Sequence, residues 1–305
     1  MIESVCVVGA GTIGSLFAGH LAQVADVSVL TRRRDHAEAL SEHGLRITGR
    51  SDLLARVRAT NDPSEVPDVD LAIVACKGTD LDRAASSLEQ CFPGAALMTV
   101  QNGLGAEEVV RGHGSWPLLS AITFMSGTRH SDAVVEYILD TPTWLGPFGG
   151  APFELAEEVA ALIVSSGLQA EAFADLRPAQ WSKLIFNATV NGVAALTGLP
   201  HDRHFAVENE DGLGLLVRRL MDEGKAVAAA AGIPPGEDPW EMNVHATRRG
   251  STHRPSMLED VEAQRPTEVE SINGALVREA ERTGVPVPLQ RALYALVRGK
   301  EASYS

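Results

Sequence analysis

Positive charge is scarce in this 305-residue chain: 26 lysines and arginines stand against 40 aspartates and glutamates, for a net charge of -14. That balance argues against nucleic acid or an anionic membrane as a partner. Any anionic ligand must be held by a few local cations. Long apolar runs are also missing. None reaches the roughly 20 residues that a membrane-crossing helix needs, although the hydrophobic content of 45% is that of an ordinary globular enzyme. No basic stretch, apolar run and small-residue cleavage site open the chain, so a secretory signal is not expected. The three cysteines, Cys6, Cys76 and Cys91, are odd in number and lack metal-ligand spacing. Cys6 and Cys76 lie in apolar runs and are expected as buried free thiols, which suits a reducing cytoplasm. Repeats and low-complexity tracts are absent. Nine histidines are scattered, and His201 with His204 lacks a third ligand, so no metal is expected.

What is present starts at the N-terminus. An apolar strand ending at Val8 runs into Gly9-Ala10-Gly11-Thr12-Ile13-Gly14, and a helical stretch follows over residues 15–25. The glycines match G-x-G-x-x-G in the strand–turn–helix setting that gives the motif meaning. Gly9 would make the turn, Gly11 would admit a pyrophosphate, and Gly14 would let the helix pack on the strand. The helix N-terminus then faces the phosphates. The second strand, residues 27–30, ends in Thr31-Arg32-Arg33-Arg34 rather than in an acidic residue. An arginine there suits a 2′-phosphate, so NADP(H) is the expected cofactor and Arg32 its first contact. Arg33 and Arg34 could equally be a solvated helix start, with Asp35 beginning that helix.

Strand-like and helix-like runs alternate to about residue 174. Residues 69–76, 95–100 and 117–123 read as parallel strands buried on both faces. Residues 134–139 and 143–145 read as antiparallel additions, 153–166 as a helix stopped by Gly167, and 169–173 as a last strand. Beyond Arg177-Pro178 the pattern is helical: 179–196, 213–231 with Gly232 as its stop, 256–264, and a segment from Pro266 to Thr283 closed by Gly284. The expected architecture is α/β: a Rossmann-type doubly wound sheet over residues 1–174, which binds NADP, and an all-helical substrate-binding and catalytic domain over 175–305.

The helix expected over 179–196 carries an unusual face. Lys183, Asn187 and Asn191 fall at i, i+4 and i+8, drifting only roughly 40° per step, while the rest of the helix is apolar. Burying an ammonium and two carboxamides is costly without partners. A row of this kind calls for a polar ligand in front of it.

These blocks together resemble the ketopantoate reductase (2-dehydropantoate 2-reductase) family over nearly the whole length. The resemblance rests on the glycine motif with Arg32, on Lys77 after residues 69–76, and on Gln101-Asn102-Gly103. It continues with Lys183-Leu184, Asn187 and Asn191, with Ser256-Met257-Leu258-Glu259-Asp260, and with Thr267-Glu268 followed by Ile272-Asn273-Gly274. It implies an N-terminal Rossmann domain, a helical C-terminal domain, and NADPH-dependent reduction of 2-dehydropantoate to pantoate on the way to pantothenate and coenzyme A. The chain departs from the family pattern around residues 130–145, where a histidine and several glycines are usual, and at Pro255, where a second serine is common. The family also contains paralogues acting on other 2-keto acids; residues 123–140 and 240–256 would differ between them.

Reducing a 2-keto acid needs a hydride and a proton on the carbonyl oxygen, and a buried lysine can both stabilise that oxygen and protonate it. Lys183 is the expected general acid. Glu268 resembles the family's acidic active-site residue, although an acidic residue early in a helix is also favoured by the macrodipole. Ser256 would bond the substrate carboxylate, or cap its helix with Glu259 completing a capping box. Asn187 and Asn191 would bond substrate oxygens. Asn102 would contact the nicotinamide ribose or the substrate, and Lys77 the cofactor. The expected partner is thus a small 2-keto acid; the oligomeric state is not fixed by the sequence, which is compatible with a homodimer. A dinucleotide-binding sensor without chemistry, and an FAD enzyme, are the competing readings.

Overall fold

The structure, a computed structural model, describes residues 2–89, 91–207, 212–234, 236–248 and 253–304. Pro235, and residues 249–252 of the stretch expected to separate paralogues, lie outside them. The chain divides into two compact units: Met1–Gln101 with Ala106–Leu176, and Asn102–Gly105 with Arg177–Ser305.

The first unit contains β1 (Ser4–Val8), β2 (Asp26–Leu30), β3 (Leu45–Gly49), β4 (Leu53–Ala55), β5 (Arg58–Thr60), β6 (Leu71–Val74), β7 (Ala96–Thr99), β8 (Leu118–Thr123), β9 (Ser126–Ser131), β10 (Val134–Leu139), β11 (Thr143–Phe148) and β12 (Ala170–Ala172). Its helices are α1 (Thr12–Leu21), α2 (Arg34–His43), α3 (Leu81–Ser87), α4 (Ala106–His113) and α5 (Phe153–Ser165). Eight strands make one sheet in the order β12-β11-β8-β7-β6-β1-β2-β5. All neighbours from β8 to β5 are parallel; β11 pairs antiparallel with β8 and carries β12 parallel to itself. The continuous apolar runs have a direct cause. Val5, Val7, Leu71, Ile73, Ala96 and Met98 enter one core, while Cys6, Val8, Ala72, Val74 and Leu97 enter a second core. Side chains alternate across a strand, so with both faces covered no polar position is left. The winding reverses at β1, whose neighbours are β2 and β6, and this is the switch point at which open α/β sheets take ligands.

Residues 134–139 do not extend this sheet as expected. They form β10 of a separate four-stranded sheet, β4-β3-β10-β9, parallel to β3 and antiparallel to β9. Its strands are only half-buried, because one face covers α1: a methyl at Gly19 would lie 2.8 Å from Ile47 of β3. Sandwiched between two sheets, α1 buries every residue from Gly14 to Leu21, and it starts at Thr12, three residues earlier than expected. Cys6 is fully buried, and burial pushes its thiol up to about 12. Cys76 lies past the end of β6 and is only half-buried, which corrects the expectation for it.

The second unit contains α6 (Arg177–Thr197), α7 (Leu213–Ala230), α8 (Pro239–Arg248), α9 (Ser256–Glu262), α10 (Ala275–Thr283) and α11 (Pro288–Glu301). Gly198, Gly232 and Gly284 follow the ends of α6, α7 and α10 with positive φ. α6 packs against α7, α8, α9 and α11, so nearly all of residues 181–195 are buried. Pro266 does not start a helix: the chain is irregular there and enters a π-helical turn, Glu270–Gly274, before α10. Among the described residues no helix is long and apolar enough to cross a membrane.

The packing of α1 on the first turn is directly testable. A methyl at Gly14 would lie 1.9 Å from the Gly9 carbonyl oxygen, whereas one at Gly11 meets nothing within 4 Å. Gly14→Ala is therefore expected to cost about 1–3 kcal/mol or more by overpacking, and Gly11→Ala to leave the unfolding temperature near that of the parent. Thermal unfolding of the two variants checks this; equal losses would remove the close Gly9–Gly14 contact from the account of stability.

Candidate active site

In the first unit, the turn after β1 is pinned against Cys76, just past the end of β6. Gly9 has φ +100°, and a methyl there would lie 2.7 Å from the Cys76 nitrogen, so only glycine fits. The Gly9 N–H donates to the Leu30 carbonyl of β2 at 2.8 Å. Ala10 is buried behind the turn, while Thr12 and Ile13 are half-buried. Gly11 is exposed and takes the N-cap position of α1 with no side chain capping the helix. An open glycine surface before uncapped helix N–H groups is a cradle that a phosphate fits.

Arg32 leaves the end of β2 and donates to the Asp80 carboxylate at 3.2 and 3.3 Å. Arg33 and Arg34 do not accompany it. Arg33 is the N-cap of α2 and pairs with Asp35 at 3.0 Å and Asp132 at 2.5 Å; Arg34 pairs with Glu38 at 2.9 Å. Asp35 lies in the first turn of α2, as expected, where its carboxylate accepts from the His36 N–H. Lys77 is exposed at the N-cap of the short 3-10 turn Gly78–Asp80. Gln101, at the end of β7, donates to the Val74 and Cys76 carbonyls at 2.7 and 3.0 Å and ties the ends of β6 and β7 together. The unusual residues 130–145 build the β9–β10 hairpin, where Asp132 accepts from Arg33 and Arg129 and its carbonyl faces His36 Nε2 at 2.9 Å.

The second unit holds the other group of residues. Lys183, Asn187 and Asn191 share one face of α6 and are 6%, 8% and 6% exposed, so the whole polar stripe is buried. Burial pushes the Lys183 ammonium down to about 8, and the negative charge of Glu268 opposes that fall. Asn102, which belongs to this unit although it follows β7 in sequence, donates to Glu268 Oε2 at 3.0 Å and accepts from Asn187 Nδ2 at 3.4 Å. Asn102, Asn187, Glu268 and Lys183 are thereby one polar cluster. Asn191 lies a turn further along α6. Ser256 is exposed as the first residue of α9, and Pro255 takes the N-cap, so the expected Ser256–Glu259 capping box does not form.

The π-helical turn fixes this cluster. The Gly274 N–H bonds the Val269 carbonyl at 2.8 Å, an i to i−5 step that widens the helix. The Ser271 carbonyl accepts from the Leu104 N–H at 3.1 Å and sits where a methyl at Gly103 would be, 2.0 Å away. Gly103, with φ +96°, is therefore the residue that lets the Asn102 loop dock on the turn following Glu268. Asn273 is fully buried and donates to the Ala188 carbonyl at 2.6 Å, locking the same turn to α6 beside Asn187. Neither Asn273 nor Asp80 stands out in the sequence. Asn273 lies in the Ile272-Asn273-Gly274 block but carries no role that spacing reveals, and Asp80 is one acidic residue among 40. Among the described residues no three His, Cys, Asp or Glu side chains are grouped to hold a metal ion.

Comparisons with known proteins agree over both units. Residues 5–150 match the family described as ketopantoate reductase PanE/ApbA, and residues 175–301 match its C-terminal part. A 2-dehydropantoate 2-reductase of Pyrococcus horikoshii is 30% identical over 97% of each chain. The crystal structure of a PanE/ApbA family ketopantoate reductase from Ralstonia eutropha JMP134 superposes with a TM-score of 0.89 at 27% identity, covering 99% of both chains. A D-mandelate dehydrogenase solved with NADH and anilino(oxo)acetate has the same fold, with a TM-score of 0.89 at 24% identity over 99% of both chains. The chain belongs to the ketopantoate reductase family of oxidoreductases.

Proposed function

We propose that this chain reduces 2-dehydropantoate to pantoate with NADPH, its residues 1–174 binding the dinucleotide and its residues 175–305 carrying the substrate and the acid. The observation that carries the reading is the buried Lys183, whose ammonium is depressed to about 8 beside Glu268, Asn102 and Asn187. A lysine poised near neutral pH both stabilises a developing oxyanion and protonates it. The names of the relatives, 2-dehydropantoate 2-reductase in Pyrococcus horikoshii among them, support the substrate.

The residues of the glycine turn fit a nicotinamide dinucleotide, since Gly11 is open and α1 is uncapped. When bound, the nicotinamide supplies a hydride to the keto carbon. Gly9 to Gly14 hold the pyrophosphate, Lys77 reaches the cofactor from its exposed position, and Arg32 takes the 2′-phosphate. Lys183 donates its proton to the keto oxygen as negative charge grows there. Glu268 keeps that proton on Lys183 until it is needed, because its carboxylate opposes the effect of burial. Asn187 and Asn191 bond the substrate's oxygens, and Asn102 links Glu268 to the nicotinamide ribose or the substrate. Ser256 and the first N–H groups of α9 receive the carboxylate. A second reading, use of NADH in place of NADPH, draws support from the Asp80 carboxylate beside Arg32, since a carboxylate can accept from a ribose hydroxyl.

Nicotinamide absorbance with 2-dehydropantoate, beside a panel of other 2-keto acids and an NADH control, tests the proposal. Preferential turnover of 2-dehydropantoate with NADPH is expected. Turnover of a different keto acid would replace the substrate, and dinucleotide binding without turnover of any of them would favour a sensor. Lys183→Ala should lower kcat by about 10²–10⁴-fold with dinucleotide affinity retained; a near-normal rate would remove Lys183 from the chemistry. Because the acid must be protonated, kcat/KM should fall as pH rises through about 8. Glu268→Gln removes the charge that raises the Lys183 pKa, so the descending limb should move to lower pH; a limb that stays in place would show that Lys183 does not set it. Arg32→Ala should weaken NADPH far more than NADH, and equal losses would show that Arg32 does not read the 2′-phosphate.

A further inference from the structure

Asp80 occupies the end of Arg32. It closes the 3-10 turn Gly78–Asp80 that follows β6. Arg32 Nη1 donates to both carboxylate oxygens, at 3.3 and 3.2 Å, and Arg83 Nη2 of α3 donates to Oδ1 at 2.5 Å. β2 and β6 are the two neighbours of β1, so the Arg32–Asp80 contact joins the strand ends on either side of the glycine turn. Both guanidiniums remain well exposed, at 63% and 62%, and Asp80 is the less exposed partner at 32%. The group is thus one carboxylate shared between two cations that stay open to a ligand.

We propose that Asp80 sets the cofactor preference of this chain by competing with the 2′-phosphate for Arg32, and that Arg83 moderates the competition by holding Asp80. The inference rests on Arg32 being the residue that meets the 2′-phosphate. A phosphate approaching Arg32 must displace or sit beside a carboxylate, and like charges at that distance repel. The ribose 2′-hydroxyl of NADH meets no such penalty, because a hydroxyl can donate to Asp80. Arg83 draws on the same Oδ1 that Arg32 uses. Without Arg83, Asp80 would commit fully to Arg32 and the phosphate would find a better-neutralised guanidinium. Arg83 is a positioning residue here, acting through Asp80 rather than on the cofactor.

The test measures dissociation constants of NADPH and NADH for the full chain by nucleotide fluorescence, without keto acid. The variants are Asp80→Asn, Asp80→Glu, Arg83→Ala, the Asp80→Asn/Arg83→Ala pair, and Arg32→Ala as the reference. Asp80→Asn should tighten NADPH by about 1.5- to fivefold, the range of an exposed charge pair, with NADH unchanged or weaker, and Asp80→Glu should keep the parental ratio. Arg83→Ala should weaken NADPH in the parent and lose that effect in the Asp80→Asn background. An unchanged NADPH-to-NADH ratio in Asp80→Asn, with Arg32→Ala still abolishing the preference, would overturn the role of Asp80 alone. Equal weakening of NADPH by Arg83→Ala in both backgrounds would make Arg83 a direct phosphate contact and overturn its positioning role. If Arg32→Ala leaves the ratio unchanged, the reading of Arg32 fails and the inference falls with it.

Discussion

Lys183 is carried into the interior of the helical unit by the same helix that buries Leu184, Ile185 and Ala188, and the ammonium cannot leave without α6 leaving too. Burial lowers it from 10.5 to about 8, which at neutral pH corresponds to a cost on the order of 3 kcal/mol for keeping it protonated. The sign follows from linkage: the unfolded chain holds this proton up to its ordinary pKa, so the fold gains stability as pH rises from about 8 towards 10.5. Everything around the lysine reduces that cost without removing it. Glu268 supplies charge, Asn102 bonds Glu268, Asn187 bonds Asn102, and the π-helical turn holds the carboxylate in place.

The choice of residue matters. The chain has 22 arginines and only four lysines, at positions 77, 183, 225 and 300. Where positive charge only has to persist, as at Arg32 and Arg83, arginine serves. A proton donor must be able to give its proton up, which arginine does not do in proteins and lysine does once buried. The overall acidity of the chain also sets its cations among acidic neighbours, as in the Arg32–Asp80–Arg83 group.

Much of this was legible in the sequence. The buried parallel strands announced themselves as unbroken apolar runs, and the glycine motif stood in its strand–turn–helix setting. The stripe of Lys183, Asn187 and Asn191 required only the helical repeat. What escaped has physical causes. β3, β4 and β9 are short and half-exposed, and β10 joins them because it covers α1, which is a tertiary choice that alternation cannot reveal. α8 and α11 escaped despite their start signals, Asp238 before Pro239 and Pro288 as a first helical residue, because their apolar periodicity is weak. Pro266 looked like a first helical residue, but the turn after Glu268 is widened and begins later. Partners distant in sequence, such as Asp80 for Arg32 or Ala188 for Asn273, are fixed only when the chain is folded.

The loop Asn102–Gly105 follows a strand of the first unit yet belongs to the second. The boundary near residue 176 is therefore not a line along which the protein can be dissected. A fragment beginning at Arg177 would contain Lys183, Asn187 and Glu268 but would leave Glu268 without the Asn102 amide and the Ser271 carbonyl without the Leu104 N–H. For anyone exchanging halves between relatives, these four residues must travel with the helical half. A chimera joined at a single point would mix the polar cluster of two parents at its centre.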